Sequence, residues 1–502
     1  MDRRDFIRFS AAAAVAASRT PFAFADSNPA ASIRLTLRPD RLGNKIGEDF
    51  TGLSYESAQL GSPNFFSGQN TQLAGFLRTL GTSGVLRIGG NTSEYCYWTP
   101  DPTKPANLPN VESMRTGDKA NPIAFGLAAG PDTGHKAPAP VGITPLAVRN
   151  LREFLDLCGW KLIYGLNMGT DTAEDAADEA AYVTDVAGPR LIAFQLCNEP
   201  DLFYRNGIRK ADYDFAQFAG EWQRFFQAIR ARVPNATFAG PDTAYNNEWL
   251  VPFAKQFKQE VAFLSHHYYA LGPPTDPAMT IERLLGPNPK LQAEFEGMKQ
   301  ARNEFGLPFR LAETNSCYQG GKPGVSDTFA SALWSADLMY QLASSGGIGI
   351  NFHGGGYGWY TPIAGNQENG FVARPDYYGM LLFAHAGAGQ LVETKLEPSG
   401  EAPLLTAYGL RSSSAATRVA AFNKNTDRGV RLTIDTGQRV ERASSLRLLA
   451  PRVDDTTDTT FGGAPVGASG AWSAARKETL STENGSSIIE LPPASGALIT
   501  FE

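Results

Sequence analysis

Hydrophobic and polar positions change their period along the chain. Near the start, Ile33, Leu35 and Leu37 alternate with Arg34, Thr36 and Arg38. A period of two predicts a half-buried strand. The next 350 or so positions hold short apolar runs at 52–56, 85–90, 162–168, 191–198, 237–242, 263–269, 309–315 and 348–353. Helical patterns at 148–158, 213–233 and 329–344 lie between several of these runs. This alternation predicts an α/β fold, a (β/α)8 TIM barrel with insertions in some loops. The longest insertion, from about Pro100 to Pro145, is rich in Pro, Gly and Asn. Ordered loops over one face of the barrel are expected there.

After Gly389 the helical period disappears. Runs at 391–396, 404–410, 419–422, 430–434, 446–449 and 488–491 are separated by clusters of Gly, Ser, Asn and Asp. They predict an antiparallel β-sandwich. The early strand has no place in the barrel and is expected to join this sandwich. The expected organisation is an export signal at 1–25, a sandwich strand within 26–45, the barrel at 46–385 and the β-sandwich domain at 386–502.

Composition adds limits. The 502 residues leave room for two domains, and 42% hydrophobic with 19% charged residues excludes wholesale disorder. Arg3-Arg4-Asp5-Phe6-Ile7-Arg8, the small-residue stretch Ala11–Ala17 and Ala23-Phe24-Ala25 resemble a twin-arginine export signal with its cleavage site. A periplasmic or secreted protein is therefore expected. Losing residues 1–25 removes four arginines and two aspartates, so the net charge of −6 becomes −8. Such a surface disfavours nucleic acid and long sulfated polyanions as partners. No other stretch approaches ~18 uninterrupted apolar residues, so no membrane anchor is expected. Cys96, Cys158, Cys197 and Cys317 form no C-x-x-C pair, which favours buried free thiols over a disulfide framework. His266 and His267 are adjacent and would point to opposite faces of a strand, so no metal site and no cofactor is expected.

In a barrel, chemistry gathers at the C-terminal strand ends. The polar residues there are Glu56, Arg87, Asn91, Asn167, Asn198, Glu199, Asp242, His267, Tyr269, Glu313, Asn315 and His353. Two carboxylates stand out. An apolar run leads directly into Asn198-Glu199-Pro200, and another leads into Glu313. A strand-end ion pair would account for either alone; the pair, with Asn198 beside one member, points to catalysis.

The Asn198-Glu199-Pro200 triplet on strand four, with Glu313 on strand seven, resembles the clan A glycoside hydrolases. The segments Gly52-Leu-Ser-Tyr-Glu56, Leu86-Arg-Ile-Gly-Gly-Asn91, Ser265-His-His-Tyr-Tyr269, Ala312-Glu-Thr-Asn-Ser316 and Asn351-Phe-His-Gly-Gly-Gly356 narrow the resemblance to heparanase-like family 79, in its bacterial β-glucuronidase branch. The resemblance implies that Glu199 is the acid/base and Glu313 the nucleophile of a retaining glycosidase. A glycosidic oxygen leaves poorly unless protonated, so one carboxyl must keep its proton while the other stays ionised. Retention requires the two to sit ~5–5.5 Å apart. The resemblance further implies that Asn198 bonds the sugar 2-hydroxyl and that Tyr269 donates to Glu313. Tyr318 and Gly320, in Tyr318-Gln-Gly-Gly-Lys322, would bind a C6 carboxylate together with Tyr360. Tyr357 and Trp359 would add aromatic surface. Glu56 and Asn91 are candidates for sugar hydroxyls, or equally for structural hydrogen bonds.

The leading expectation is an exo-acting enzyme on terminal glucuronic acid in glycosides or oligosaccharides. Its rivals are an endo-acting heparanase, which would want a basic cleft, a clan A glycosidase for a neutral sugar, and a non-catalytic carbohydrate-binding protein. His353-Gly-Gly-Gly356 looks like an esterase oxyanion loop, but the G-x-S-x-G elbow that reading needs is absent from the sequence.

Overall fold

The computed structural model describes residues 28–101, 103, 140–244, 247–356, 358–398, 404–413 and 416–502. The export signal and most of the Pro100–Pro145 insertion lie outside them, as does Tyr357. Eight parallel strands close into a barrel. In chain order they are Thr51–Glu56, Val85–Gly89, Lys161–Gly165, Leu191–Gln195, Phe238–Thr243, Val261–Leu271, Phe309–Cys317 and Gly349–Gly354. Strand eight pairs with strand one, Gly354 opposite Tyr55, which completes the closure. Helices cover the outside. Pro145–Cys158 shows how local sequence sets them: Thr144 caps its N-terminus by accepting from Ala147 N–H, proline starts it, and Gly159 at φ 82° ends it.

All eight expected runs are barrel strands, with shifted ends. Strand four was expected over 191–198 and stops at Gln195. The reason is that the next donors turn elsewhere: Asn198 N–H goes to the Glu94 carboxylate and Glu199 N–H to the Asp242 carbonyl. Inside the barrel, Val85, Ile163, Ala193, Ala239 and Phe263 form a small apolar plug. Polar side chains of the same strands lie above it. On strand seven Arg310 and Glu313 are an odd number of residues apart, yet both face inward. A register shift between Leu311 and Glu313 makes this possible, since an extra residue re-aims the side chains that follow.

The C-terminal strands form one eleven-stranded sheet. Asn28–Ile46 runs through it between Gly389–Pro398 and Arg428–Asp435, pairing antiparallel with the first and parallel with the second. The sheet is otherwise antiparallel. Its two halves close over a shared core that includes Ile33, Leu35, Leu37, Val419, Leu432, Ile489 and Ile499. The strand Ser495–Phe501, not foreseen in the sequence, lies between Thr417–Asn423 and Ala443–Leu449. Phe422, Leu446, Leu448 and Leu498 of the sheet join the core that also contains the barrel helices. All four cysteines are buried and free. No helix of the described residues is long and apolar enough to cross a membrane.

Candidate active site

Arg87, at the centre of the second barrel strand, is fully buried and organises the barrel mouth. A guanidinium has five N–H donors, and five acceptors face this one. Nε donates to Gln195 Oε1 at 2.9 Å, and Nη1 to Ser54 Oγ at 3.2 Å and Glu313 Oε2 at 2.6 Å. Nη2 donates to Asn198 Oδ1 at 2.8 Å and Asp242 Oδ2 at 2.7 Å. Strands one, two, four, five and seven are thus tied to a single side chain. Gly89 makes room for it, because a Cβ there would meet the guanidinium carbon at 2.3 Å.

Glu313 and Glu199 face one another across this hub. Tyr269 Oη donates to Glu313 Oε1 at 2.7 Å. His267 Nδ1 lies 3.0 Å from Glu199 Oε1 and 4.0 Å from Glu313 Oε1. A carboxylate oxygen of Glu199 and one of Glu313 lie within 4.8 Å of each other. Glu199 has φ 50° and ψ 54°, the left-handed region that a non-glycine residue enters only when its surroundings enforce it.

The two carboxyls differ in their electrostatics. Burial alone would raise both. For Glu313 the positive charges of His353, His267 and Arg87, with the Tyr269 hydroxyl, overcome burial and hold it down at about 2. For Glu199 burial prevails over the neighbouring imidazole, and the Glu313 charge pushes in the same direction, so its pKa is raised. His267 is held in its charged form at about 10, because Asp242 and Glu313 outweigh its burial. Of the two, Glu313 is therefore the more readily ionised and Glu199 the better holder of a proton.

The other residues singled out in the sequence gather around this pair. Asn198 Nδ2 donates to Asn91 Oδ1 at 3.3 Å. Glu56 Oε2 accepts from Thr92 N–H at 2.8 Å and Thr92 Oγ1 at 2.7 Å, while its Oε1 is 3.3 Å from His353 Nε2. The rings of Tyr318 and Tyr360 lie 6.4 and 6.2 Å from that of Tyr269. Tyr360 is buried, whereas Tyr318 is 39% exposed at the rim. Between them Gln319, Gly320 and Gly321 adopt φ of 61°, 84° and 89°. The Gly320 carbonyl accepts from Trp359 N–H at 2.6 Å, which joins the loops after strands seven and eight. Lys322 Nζ is held by the Asp276 carbonyl at 2.8 Å. Trp359 is 46% exposed with the Arg374 guanidinium over its ring.

The family model "Glycosyl hydrolase family 79, N-terminal domain" matches residues 148–340, which include strands four and seven and both glutamates. A β-glucuronidase of Aspergillus niger is 26% identical over 428 residues, covering 77% of this chain and 73% of the relative. A β-glucuronidase of Neurospora crassa is 25% identical over 406 residues, covering 72% and 68%. Residues 148–340 thus resemble the N-terminal domain of glycoside hydrolase family 79, and the chain is a glycoside hydrolase similar to these β-glucuronidases. Its fold also matches the crystal structure of a 4-O-α-L-rhamnosyl-β-D-glucuronidase from Fusarium oxysporum, with a TM-score of 0.68 at 18% identity over 94% of this chain and 100% of that one.

Arg87, Asp242, His267 and His353 stand out in the sequence only as strand-end polar residues, with no role attached. A charged residue inside the apolar run Leu86-Arg87-Ile88 was the available signal, since burying it is costly unless it is paired. For the adjacent histidines the expected opposition of faces is observed. His267 points into the mouth, and His266 packs outside against Thr243 Oγ1 at 2.9 Å. Glu94, on a short turn after strand two, was missed altogether.

Proposed function

We propose that this glycosidase is an exo-acting β-glucuronidase that cleaves terminal β-linked glucuronic acid with retention of configuration. The observation that carries the reading is the close carboxyl pair with opposite proton affinities. Glu313, ionised, attacks the anomeric carbon while Glu199 gives its proton to the glycosidic oxygen. The C–O bond breaks, the alcohol leaves, and the sugar remains as an ester on Glu313. Water then takes the place of the alcohol. Glu199, now the carboxylate, removes its proton as oxygen attacks the anomeric carbon, and Glu313 departs in its original charged state. A gap under 4.8 Å has no room for the water that an inverting mechanism holds between its carboxyls.

The choice of sugar draws on the relatives' activity and on the polar rim beside Glu313. Tyr318, the tightly turned Gly320 backbone and the buried Tyr360 present hydroxyl and N–H donors of the kind a C6 carboxylate requires. The negative charge of the chain favours a small terminal uronide over a sulfated polymer. Initial rates on 4-nitrophenyl β-glucuronide, β-glucoside and β-xyloside test this. The glucuronide is expected to be favoured in kcat/KM by at least ~10²-fold, the effect of a site whose buried donors go unpaired with the wrong sugar. Equal turnover of the neutral sugars would overturn the assignment.

A further inference from the structure

We propose that Glu94 is a positioning residue: it clamps the Asn198 peptide to the loop after strand three, and so holds Glu199 in place for proton transfer. The inference rests on the acid/base role proposed for Glu199. Glu94 belongs to the single turn Asn91–Tyr95 that follows strand two, and it is buried. Its Oε1 accepts the Asn198 N–H at 2.8 Å, and its Oε2 accepts the Gly169 N–H at 2.6 Å. One carboxylate thus receives both N–H groups, bridging the loops after strands three and four. The same turn holds residue 198 a second time through Asn91 and its side chain. Thr170 Oγ1 donates to the Glu94 carbonyl at 2.6 Å, which locks the turn itself.

Three further observations show how much of the surrounding structure is built around this clamp. Position 169 is glycine, and a Cβ there would meet Glu94 Oε2 at 2.4 Å. Arg209 Nη1 fixes the Gly169 carbonyl at 2.7 Å, so both backbone groups of this residue are held. The peptide that Glu94 grips also leads directly into Glu199, whose left-handed backbone needs external support. Without the Glu94 acceptor, the Asn198 N–H would be buried without this partner, and the chain at 198–199 would relax toward an ordinary conformation. The proton donor would then move relative to the glycosidic oxygen, where a displacement of ~1 Å is enough to cost ~10²-fold in rate.

The test compares leaving groups. An alkyl β-glucuronide needs a proton from Glu199, whereas 2,4-dinitrophenolate departs without one. Glu94→Gln replaces one acceptor oxygen with an NH2 group that faces an N–H donor. It is expected to lower kcat/KM at least ~10-fold on the alkyl glucuronide and under ~3-fold on the dinitrophenyl glucuronide, the loss being in kcat rather than KM. Glu199→Gln, run alongside, must show the same selectivity. If it does not, the acid/base assignment fails. If it does and Glu94→Gln lowers both substrates equally or neither, the positioning role is overturned. Should Glu94→Gln not fold, Gly169→Ala displaces the carboxylate while keeping its charge, and the same selectivity is expected of it. An equal loss on both substrates would again refute the role.

Discussion

Tyr269 and Arg87 act on Glu313 from opposite sides, and each lowers the proton affinity of the nucleophile proposed here. By the mechanism proposed above, activity needs Glu313 ionised and Glu199 protonated. It is therefore lost on the acid side as Glu313 gains a proton and on the alkaline side as Glu199 loses one. Tyr269→Phe removes a hydrogen bond to a charged carboxylate, an interaction of about 1.5–3 kcal/mol. The acid limb of the kcat/KM profile is then expected to move to higher pH, and kcat to fall ~10–100-fold. An unmoved acid limb would show that the phenol does not act through Glu313. Glu199, Glu313 and Asn198 were legible in the sequence because each follows an apolar run that had to be a strand. Arg87 and His267 were visible but mute. Their partners, Asp242, Gln195 and Glu313, lie on other strands, and only barrel closure brings them together.

The strands and loops place these residues by local departures from regularity. Strand seven slips register to turn Glu313 inward, and strand four ends early so that Asn198 and Glu199 find partners on the turn after strand two and on strand five. Neither departure has a periodic signature, which is why the eight strands could be read from the sequence while their ends could not. Outside the barrel, the helix Phe329–Ser345 carries the buried Asp337, which accepts from Tyr408 Oη and Lys424 Nζ of the sheet, each at 2.7 Å. Removing one partner leaves a buried charge uncompensated at a cost of about 3–5 kcal/mol. Asp337→Ala is expected to lower the midpoint of thermal unfolding by several degrees while leaving KM unchanged. A stability equal to that of the parent would mean the pair contributes nothing to joining helix and sheet.

Across the whole molecule, buried carboxyls set a pH dependence of stability. Burial raises Glu179 to about 8 and Glu294 to about 7. The unfolded chain releases these protons near 4.3, so between that pH and about 8 the folded state holds more protons and loses stability as pH rises. His267 contributes with the same sign further up, its stabilisation complete below ~6.5 and lost as pH rises through about 10. Glu313 has the opposite sign and contributes above ~4.3, a contribution lost as pH falls through about 2. Unfolding midpoints are expected to be higher at pH 5 than at pH 8. Glu179→Gln, which keeps a partner for the Tyr164 hydroxyl now 2.6 Å from the carboxyl, should flatten that slope. A midpoint that rises from pH 5 to pH 8 would contradict the burial argument. At this scale the barrel and the presence of a β-domain were legible from the change of period near residue 389. The parallel pairing of Asn28–Ile46 with Arg428–Asp435 was not, since it joins segments from opposite ends of the chain.

The central claim is that Glu313 becomes covalently bonded to a uronic acid. Incubation with 2-deoxy-2-fluoro-β-glucuronyl fluoride, followed by proteolysis and peptide mass spectrometry, tests it directly: fluorine at C2 slows both steps, while the fluoride leaving group keeps formation of the ester fast enough for it to accumulate. A fluoroglucuronyl adduct on Glu313, absent when Glu313 is replaced by Gln, is predicted. An adduct on Glu199, or release of the inverted sugar with no adduct at all, would contradict the mechanism.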